Sequence, residues 1–131
     1  MLKIIDGCST SLIGSIDTDG FPNMKAMLPP RKRNGIKEFF FTTNTSSLRV
    51  AQFNENKKSC IYFFDSRNFI GIMIVGTMEV LQDETSKKEI WKTGDDLYYP
   101  LGIIDPDYCV LKFSGFKIRT YHDFKKEEFK I

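Results

Sequence analysis

The chain is poor in the residues that usually announce a chemistry. Among 131 residues it has one histidine and one tryptophan, and its three cysteines form no CxxC pair. Cys8, Cys60 and Cys109 lie far apart with no second ligand cluster, which argues against a zinc site. Each sits among apolar residues, so buried, reduced thiols are expected, as in a cytoplasmic protein. No apolar run approaches the ~20 residues that span a bilayer. The opening "MLKIIDGCSTSL" also lacks the long apolar segment of a secretion signal. A surplus of one charge is missing too: 19 Lys and Arg face 17 Asp and Glu, for a net +2. A nucleic-acid partner would call for a clustered basic face, and none is indicated. Neither a P-loop nor GxGxxG is present, which excludes nucleotides held in those modes.

What remains is ordinary globular usage, 41% hydrophobic and 27% charged, consistent with one domain over residues 1–131 and one main core. Aromatics make up 14%, with 12 Phe among them, and this favours a β-rich core or a buried aromatic interface. "TSLIGSIDTDGFPNMKAML" reads as strand, turn, strand, with "DTDG" (Asp17 to Gly20) as the turn and Pro22 at a strand edge. "KRNG", Lys32 to Gly35, reads as a second turn before the strand "IKEFFFTT". "SSLRVAQFNENKK" is a helix with Ser46 or Ser47 as N-cap. "SCIYFFD" and the long "NFIGIMIVGTMEVLQD" are strands, Gly71 and Gly76 marking bulges or bends. "DETSKKEIW" starts a short helix capped at Asp83, with Trp91 as a buried anchor at its end. "GDDLYYPLGIIDPD" is a structured loop, and "DPDY" (Asp105 to Tyr108) turns into a strand. "YCVLKFSGFKIRTYHDF" reads as two strands around Ser114-Gly115, and "KKEEFKI" as a charged, solvated tail. The expected total is about seven strands and two short helices: a mainly β, antiparallel chain closing into a small or split β-barrel. The nearly continuous apolar side chains of "GIMIVG" need cover from a second subunit or a helix.

One stretch asks for more than a fold. "FFFTTNTSSLRVAQF" runs from an aromatic strand through six hydroxyl or amide residues, Thr42 to Ser47, into a helix carrying Arg49. A helix N-terminus offers unpaired N–H groups and the positive end of its dipole, which suits an anion. Thr42, Thr43 and Ser47 can donate O–H groups to phosphate oxygens, Arg49 can add a bidentate fork, and Lys25 in "NMKAML" a second positive charge. The plainer alternative is that Ser47 only caps the helix and Arg49 is exposed. Asp95 and Asp96 are adjacent on the chain and do not form an acid–base pair. His122, near the end of the chain, is expected in solvent.

The order "DTDGFPNMKAML", "FFFTTNTSSLRVAQFNEN", "IYFF", "IGIMIVGTMEVLQDE", "YYPLGIIDPDYCVLKF", "IRTY" resembles the pyridoxamine 5′-phosphate oxidase-like family of FMN-binding split barrels. Within it, the chain is similar to the branch related to general stress protein 26. The resemblance spans nearly the whole chain, with the helix that often precedes the first strand reduced or missing. It implies an FMN-dependent oxidoreductase of unassigned substrate, with flavin sites at a homodimer interface and NAD(P)H as a possible donor. It also implies roles for particular residues. Met24, Lys25, Ala26 and Met27 stand on the flavin-contacting strand, with Lys25 reaching the phosphate. Thr42 and Thr43 line the flavin, Ser47 and Arg49 bind the phosphate, and Tyr121 replaces an aromatic that reaches the partner's flavin. The next basic position of the pattern is Leu48 here, and a flavin-contacting glutamine is replaced by Gly71. No catalytic residue is implied, because the flavin carries the electron chemistry. True pyridoxamine phosphate oxidase activity is not expected, since the Arg and His arrangement of that enzyme's C-terminal segment has no counterpart. A flavin carrier or sensor without turnover, and a barrel holding the deazaflavin cofactor F420, are the alternatives. Haem is disfavoured by the shortage of axial ligands.

Overall fold

The computed structural model describes all residues from Met1 to Ile131. A six-residue helix, α1 (Leu2–Gly7), precedes the hairpin of β1 (Ser11–Ile16) and β2 (Pro22–Met27). That hairpin turns through "DTDG", with Gly20 at φ 86°, a left-handed conformation glycine adopts without strain. The chain continues through β3 (Lys32–Asn34), β4 (Glu38–Asn44), α2 (Leu48–Glu55), β5 (Lys58–Asp65), β6 (Ile70–Leu81) and α3 (Glu84–Ile90). Two 3-10 turns, Asp95–Leu97 and Gly102–Ile104, lead into β7 (Tyr108–His122) and β8 (Lys125–Lys130). The eight strands are antiparallel in the order β2-β1-β5-β6-β7-β4-β3, with β8 added on β7. β2 pairs only with β1, and β3 only with β4, so the barrel stays split along a seam between them.

Alternation along the strands sets the core. β4 points Phe39, Phe41 and Thr43 inward, and β5 points Ser59, Ile61 and Phe63 inward. Phe39 is the hub, with ring centroids 5.6 Å from Phe63 and 6.4 Å from Phe113. Tilted aromatic pairs of this kind add a little to the ~25 cal/mol per Å² of apolar burial. Helix α2 is too short to hold itself in water and is held by packing. It buries Val50 and Phe53 against β1 and β6, while Ser15 on β1 donates to its Gln52 side chain.

The outward face of the same sheet is also apolar. Register aligns Ala26, Leu12, Tyr62 and Met73 in one row, and Met24, Gly14, Cys60 and Val75 in the next. Nothing in the chain covers these rows, and Met24 is 70% exposed. No helix is long and apolar enough to cross a membrane.

Several expectations are corrected. Lys32–Asn34 is a strand, not a turn; the turn falls one step later, around Gly35 at φ 59°. Ser114-Gly115 does not divide two strands. It lies in a single 15-residue strand, β7, whose register against β6 slips between Val75 and Gly76 and leaves Phe116 unpaired. Gly76 lies at a bulge, as expected, though the extra residue is Phe116 on the facing strand, whereas Gly71 sits in regular pairing between Phe64 and Tyr121. "KKEEFK" is not a solvated tail but β8, paired with β7 from Lys117 to His122. Its charges hid it, because a strand exposed along its whole length shows no apolar alternation. Three α-helices form rather than two, with the expected caps: Ser47 accepts from the Val50 amide, and Asp83 from the Ser86 amide. Trp91 is half-buried, edge-on to Tyr108 at 5.1 Å. Cys109 is buried, but Cys8 and Cys60 are only partly so.

The loop after α3 is clamped by one ion pair. Both terminal nitrogens of Arg31 donate to the Asp95 carboxylate, at 2.7 and 2.8 Å, and the two side chains are only 17% and 8% exposed. The Arg31 hydrogen bonds hold the Asp95 carboxyl below its ordinary range despite burial. The stability this adds is present above the ordinary carboxylate pKa and is lost as pH falls through the depressed one. Asp95→Asn should therefore cost ~3 kcal/mol near neutrality and flatten the acid limb of a stability–pH profile measured by urea unfolding. At the bulge, a Cβ on Gly76 would lie 2.0 Å from the Ser114 carbonyl oxygen, a backbone atom that cannot swing away. Gly76→Ala should lower the urea midpoint by the equivalent of about 1–3 kcal/mol.

Candidate functional site

A groove of ≈ 660 Å³ follows the open seam. One wall is Lys25, Ala26 and Met27 of β2 with Leu28 and Pro29 beyond it; the other is Phe41 to Asn44 of β4 and Ser46 to Arg49 at the start of α2. Tyr98, Tyr99 and the Arg31–Asp95 pair close one end.

The hydroxyl-rich stretch takes its shape from a residue far away in sequence. The Asp107 carboxylate accepts the Ser46 N–H and the Asn44 side-chain amide, both at 2.9 Å, and its carbonyl accepts the Thr45 N–H at 2.7 Å. The Ser46 bonds hold the Asp107 carboxyl below its usual range, so the bracket persists at neutral pH. Tyr99 donates its hydroxyl to Asn44 at 3.1 Å, and burial pushes its phenol up to about 12, keeping it a donor. With Ser47 as cap, the first intrahelical bond is donated by Ala51 to the Ser47 carbonyl. The amides of Leu48 and Arg49 therefore have no helical acceptor.

The groove's three cations differ in their partners. Arg31 is neutralised by Asp95. Arg49 has no carboxylate beside it: its Nε is buried without a hydrogen-bond partner, and burial pushes its guanidinium below the ordinary arginine value. A desolvated guanidinium with an orphaned N–H is costly unless an anion arrives to pair with it. Lys25 makes no ion pair either. Two unneutralised cations, the Leu48 and Arg49 residues whose amides lack a helical acceptor, and Thr42, Thr43, Ser46 and Ser47 thus border one cavity. Donors of this kind suit an anion.

Of the residues expected at the site, Lys25, Ala26, Met27, Thr42, Thr43, Ser47 and Arg49 border the groove, with Leu48 on its rim at 66% exposure. Met24 does not: it belongs to the outward rows of the sheet. Tyr121 is also elsewhere, in a second hollow of ≈ 380 Å³ on the outward face, beside Tyr62, Gly71, Met73 and Arg119. Arg31, Asp95, Tyr98 and Tyr99 were not anticipated at the groove. Only the adjacent aromatic pair in "GDDLYYP", of which Tyr98 is exposed and Tyr99 buried, hinted at them. His122 is exposed beside Asp123, as expected.

Comparison with known proteins agrees with this geometry. The family described as "Pyridoxamine 5′-phosphate oxidase like" matches residues 1–130. A solved structure from Clostridium acetobutylicum, described as related to general stress protein 26 of Bacillus subtilis and to the pyridoxinephosphate oxidase family, is 40% identical. It superimposes with a TM-score of 0.89 over 99% of this chain and 91% of its own. General stress protein 26 from Bacillus anthracis strain Sterne shares the fold at 18% identity, TM-score 0.78, covering 99% of this chain and 95% of its own. A NimC/NimA family protein from Clostridium acetobutylicum does so at 17% identity, TM-score 0.78, covering 99% and 90%. No match was found among curated proteins. The split barrel and the extent of these matches lead to one conclusion: the chain belongs to the pyridoxamine 5′-phosphate oxidase-like family.

Proposed function

We propose that the chain is an FMN-binding oxidoreductase, holding its flavin at a homodimer interface in the cytoplasm and accepting electrons from a donor such as NAD(P)H. The observation that carries this reading is Arg49, half-buried, unpaired and set at a helix N-terminus facing Lys25 across the seam. The residues present fit the phosphate end of FMN: Arg49 supplies a fork of donors, Lys25 a point charge, and Leu48 and Arg49 their amides. Met27, Leu28 and Tyr98 add apolar surface to the groove's walls. When bound, the flavin supplies the electron transfer, and the protein supplies orientation and electrostatics. The groove offers no free carboxylate or imidazole, since its one carboxylate, Asp95, is held by Arg31. That favours a second reading in which the flavin is carried rather than turned over. Rapid anaerobic bleaching of bound FMN by NAD(P)H supports the enzyme, and inert bound FMN the carrier.

The homodimer reading is supported by the uncovered outward rows of the sheet, which include Leu12, Met73 and Val75. Val75→Asp would place a carboxylate in the middle of such an interface, and should convert dimers to monomers in light scattering. For the cofactor, FMN fluorescence quenching should give micromolar binding or better, with riboflavin much weaker because it lacks the phosphate. Arg49→Ala should weaken FMN tenfold or more, roughly the 1.5–3 kcal/mol of a hydrogen bond to a charged group, and leave riboflavin unchanged. Equal binding of FMN and riboflavin, or an unaffected Arg49→Ala variant, would remove the phosphate site from the reading. Tighter binding of F420 in the same titration would transfer it to a deazaflavin.

A further inference from the structure

The turn between β3 and β4 joins an asparagine to a glycine, away from both hollows. The chain has six asparagines, and only Asn34 is followed by glycine. Asn34 ends β3, exposed and opposite Glu38, and Gly35 opens the turn at φ 59°, where glycine sits without strain. A Cβ on Gly35 would meet nothing within 4 Å, so no neighbour crowds the dipeptide. The Lys37 N–H closes the turn on the Asn34 carbonyl at 3.4 Å, whereas the Gly35 N–H finds no acceptor in the chain. Arg33 donates to the Gly35 carbonyl at 3.1 Å, which sets a positive charge beside that free N–H.

The geometry points to Asn34 as a site of spontaneous covalent modification, converted through a succinimide with the Gly35 nitrogen to aspartate and isoaspartate. In the first step the Gly35 nitrogen gives up its proton to solvent and attacks the side-chain carbonyl carbon of Asn34. A C–N bond forms, the bond to Nδ2 breaks, and Nδ2 leaves as ammonia after taking a proton back from solvent. Water then opens the ring at either carbonyl, giving Asp or a main chain rerouted through the side chain. No electrons are exchanged, and water is the only co-reactant. The step needs a nitrogen that can lose its proton. An N–H outside any hydrogen bond meets that need, and the nearby guanidinium favours the deprotonated form.

The modification would reach the groove through β3. This strand has three register pairs with β4: Lys32 with Phe40, Arg33 with Phe39, and Asn34 with Glu38. At the last pair Asn34 Nδ2 donates to Glu38 at 2.9 Å, a bond that helps hold the Glu38 carboxyl below its usual range. Conversion removes this donor and sets a second carboxylate opposite the first, and like charges so placed destabilise a strand pair. Glu38 keeps Lys112 at 3.3 Å, so the loss is modest for Asp. Isoaspartate adds a main-chain methylene as well, which shifts the alternation of the strand. Arg31, with its clamp on Asp95, stands immediately before this strand. Ageing at Asn34 thus loosens the element that presents the groove's closing ion pair.

The test incubates the folded full chain in mildly alkaline buffer and follows its peptides by mass spectrometry, beside Asn34→Gln, whose longer side chain disfavours the ring. The peptide holding Asn34 should gain the amide-to-acid mass difference well before those holding Asn23, Asn44, Asn54, Asn56 or Asn68. Ammonia should appear in step, and an isoaspartate-specific carboxyl methyltransferase should label the aged wild type and not Asn34→Gln. Asn34→Asp, which copies one product, should melt about 2–4 °C below the wild type near neutrality. That gap should narrow in acid, where both carboxylates are protonated. If Asn34 converts no faster than the other five in the folded protein, the assignment is overturned. A lead that appears only in guanidinium would overturn it too, by showing that the folded turn shields the dipeptide. An Asn34→Asp variant as stable as the wild type at every pH would overturn the loosening of β3.

Discussion

Arg31 joins three segments that the open seam leaves apart. Its backbone N–H donates to the Phe40 carbonyl at 2.7 Å, extending the β3–β4 edge by one bond. Its guanidinium then reaches the Ile90 carbonyl, where α3 ends, and both oxygens of Asp95 in the following loop. A closed barrel satisfies its edges by pairing them. Here the two edges stay apart, and a planar, multiply bonded cation fixes the loop that ends the gap. The cavity between β2 and β4 is the space this arrangement leaves, so the groove follows from the way the sheet fails to close.

The same logic separates the two arginines at the groove. A partly buried guanidinium is tolerable when a carboxylate and carbonyls meet its N–H groups, and Arg31 has both. Arg49 has neither, although it sits half-buried less than one helical turn from the cap. The fold maintains an unsatisfied cation there because α2 is fixed from two sides. Val50 and Phe53 anchor it in the core, and Asp107 brackets the turn that leads into it. Preorganisation of this kind lowers the ordering cost of any anion that pairs with Arg49.

The parts of this architecture that were legible in the sequence are the local ones. Ser47 as a cap, Asp83 as a cap, the "DTDG" hairpin and the inward alternation of "EFFFTT" each depend on residues within a few positions of one another. So does Arg49's place in the first turn of a helix. The brackets that shape the site are long-range: Asp107 lies 61 residues from Ser46, and Asp95 lies 64 from Arg31. Nothing in "DPDY" or "GDDL" names its partner, and both look like ordinary turn chemistry. β8 was hidden for another reason, since all six of its residues are exposed and only Phe129 is apolar. Gly71 read as a bend because glycine in a strand has several causes, and that a Cβ there would meet the Tyr62 hydroxyl becomes visible only with the register in hand.

β8 has β7 on one side and nothing on the other. Its outer row of backbone N–H and C=O groups could be matched by any extended strand, including the β8 of a second copy. Five of its six residues are charged, Lys125, Lys126, Glu127, Glu128 and Lys130, and Arg119 on β7 draws Glu128 into an ion pair. A newcomer strand would have to strip water from these charges before it gained its first hydrogen bond. The ribbon thus acts as a terminator of sheet growth. It guards a protein with a broad apolar face against polymerising edge to edge into fibres.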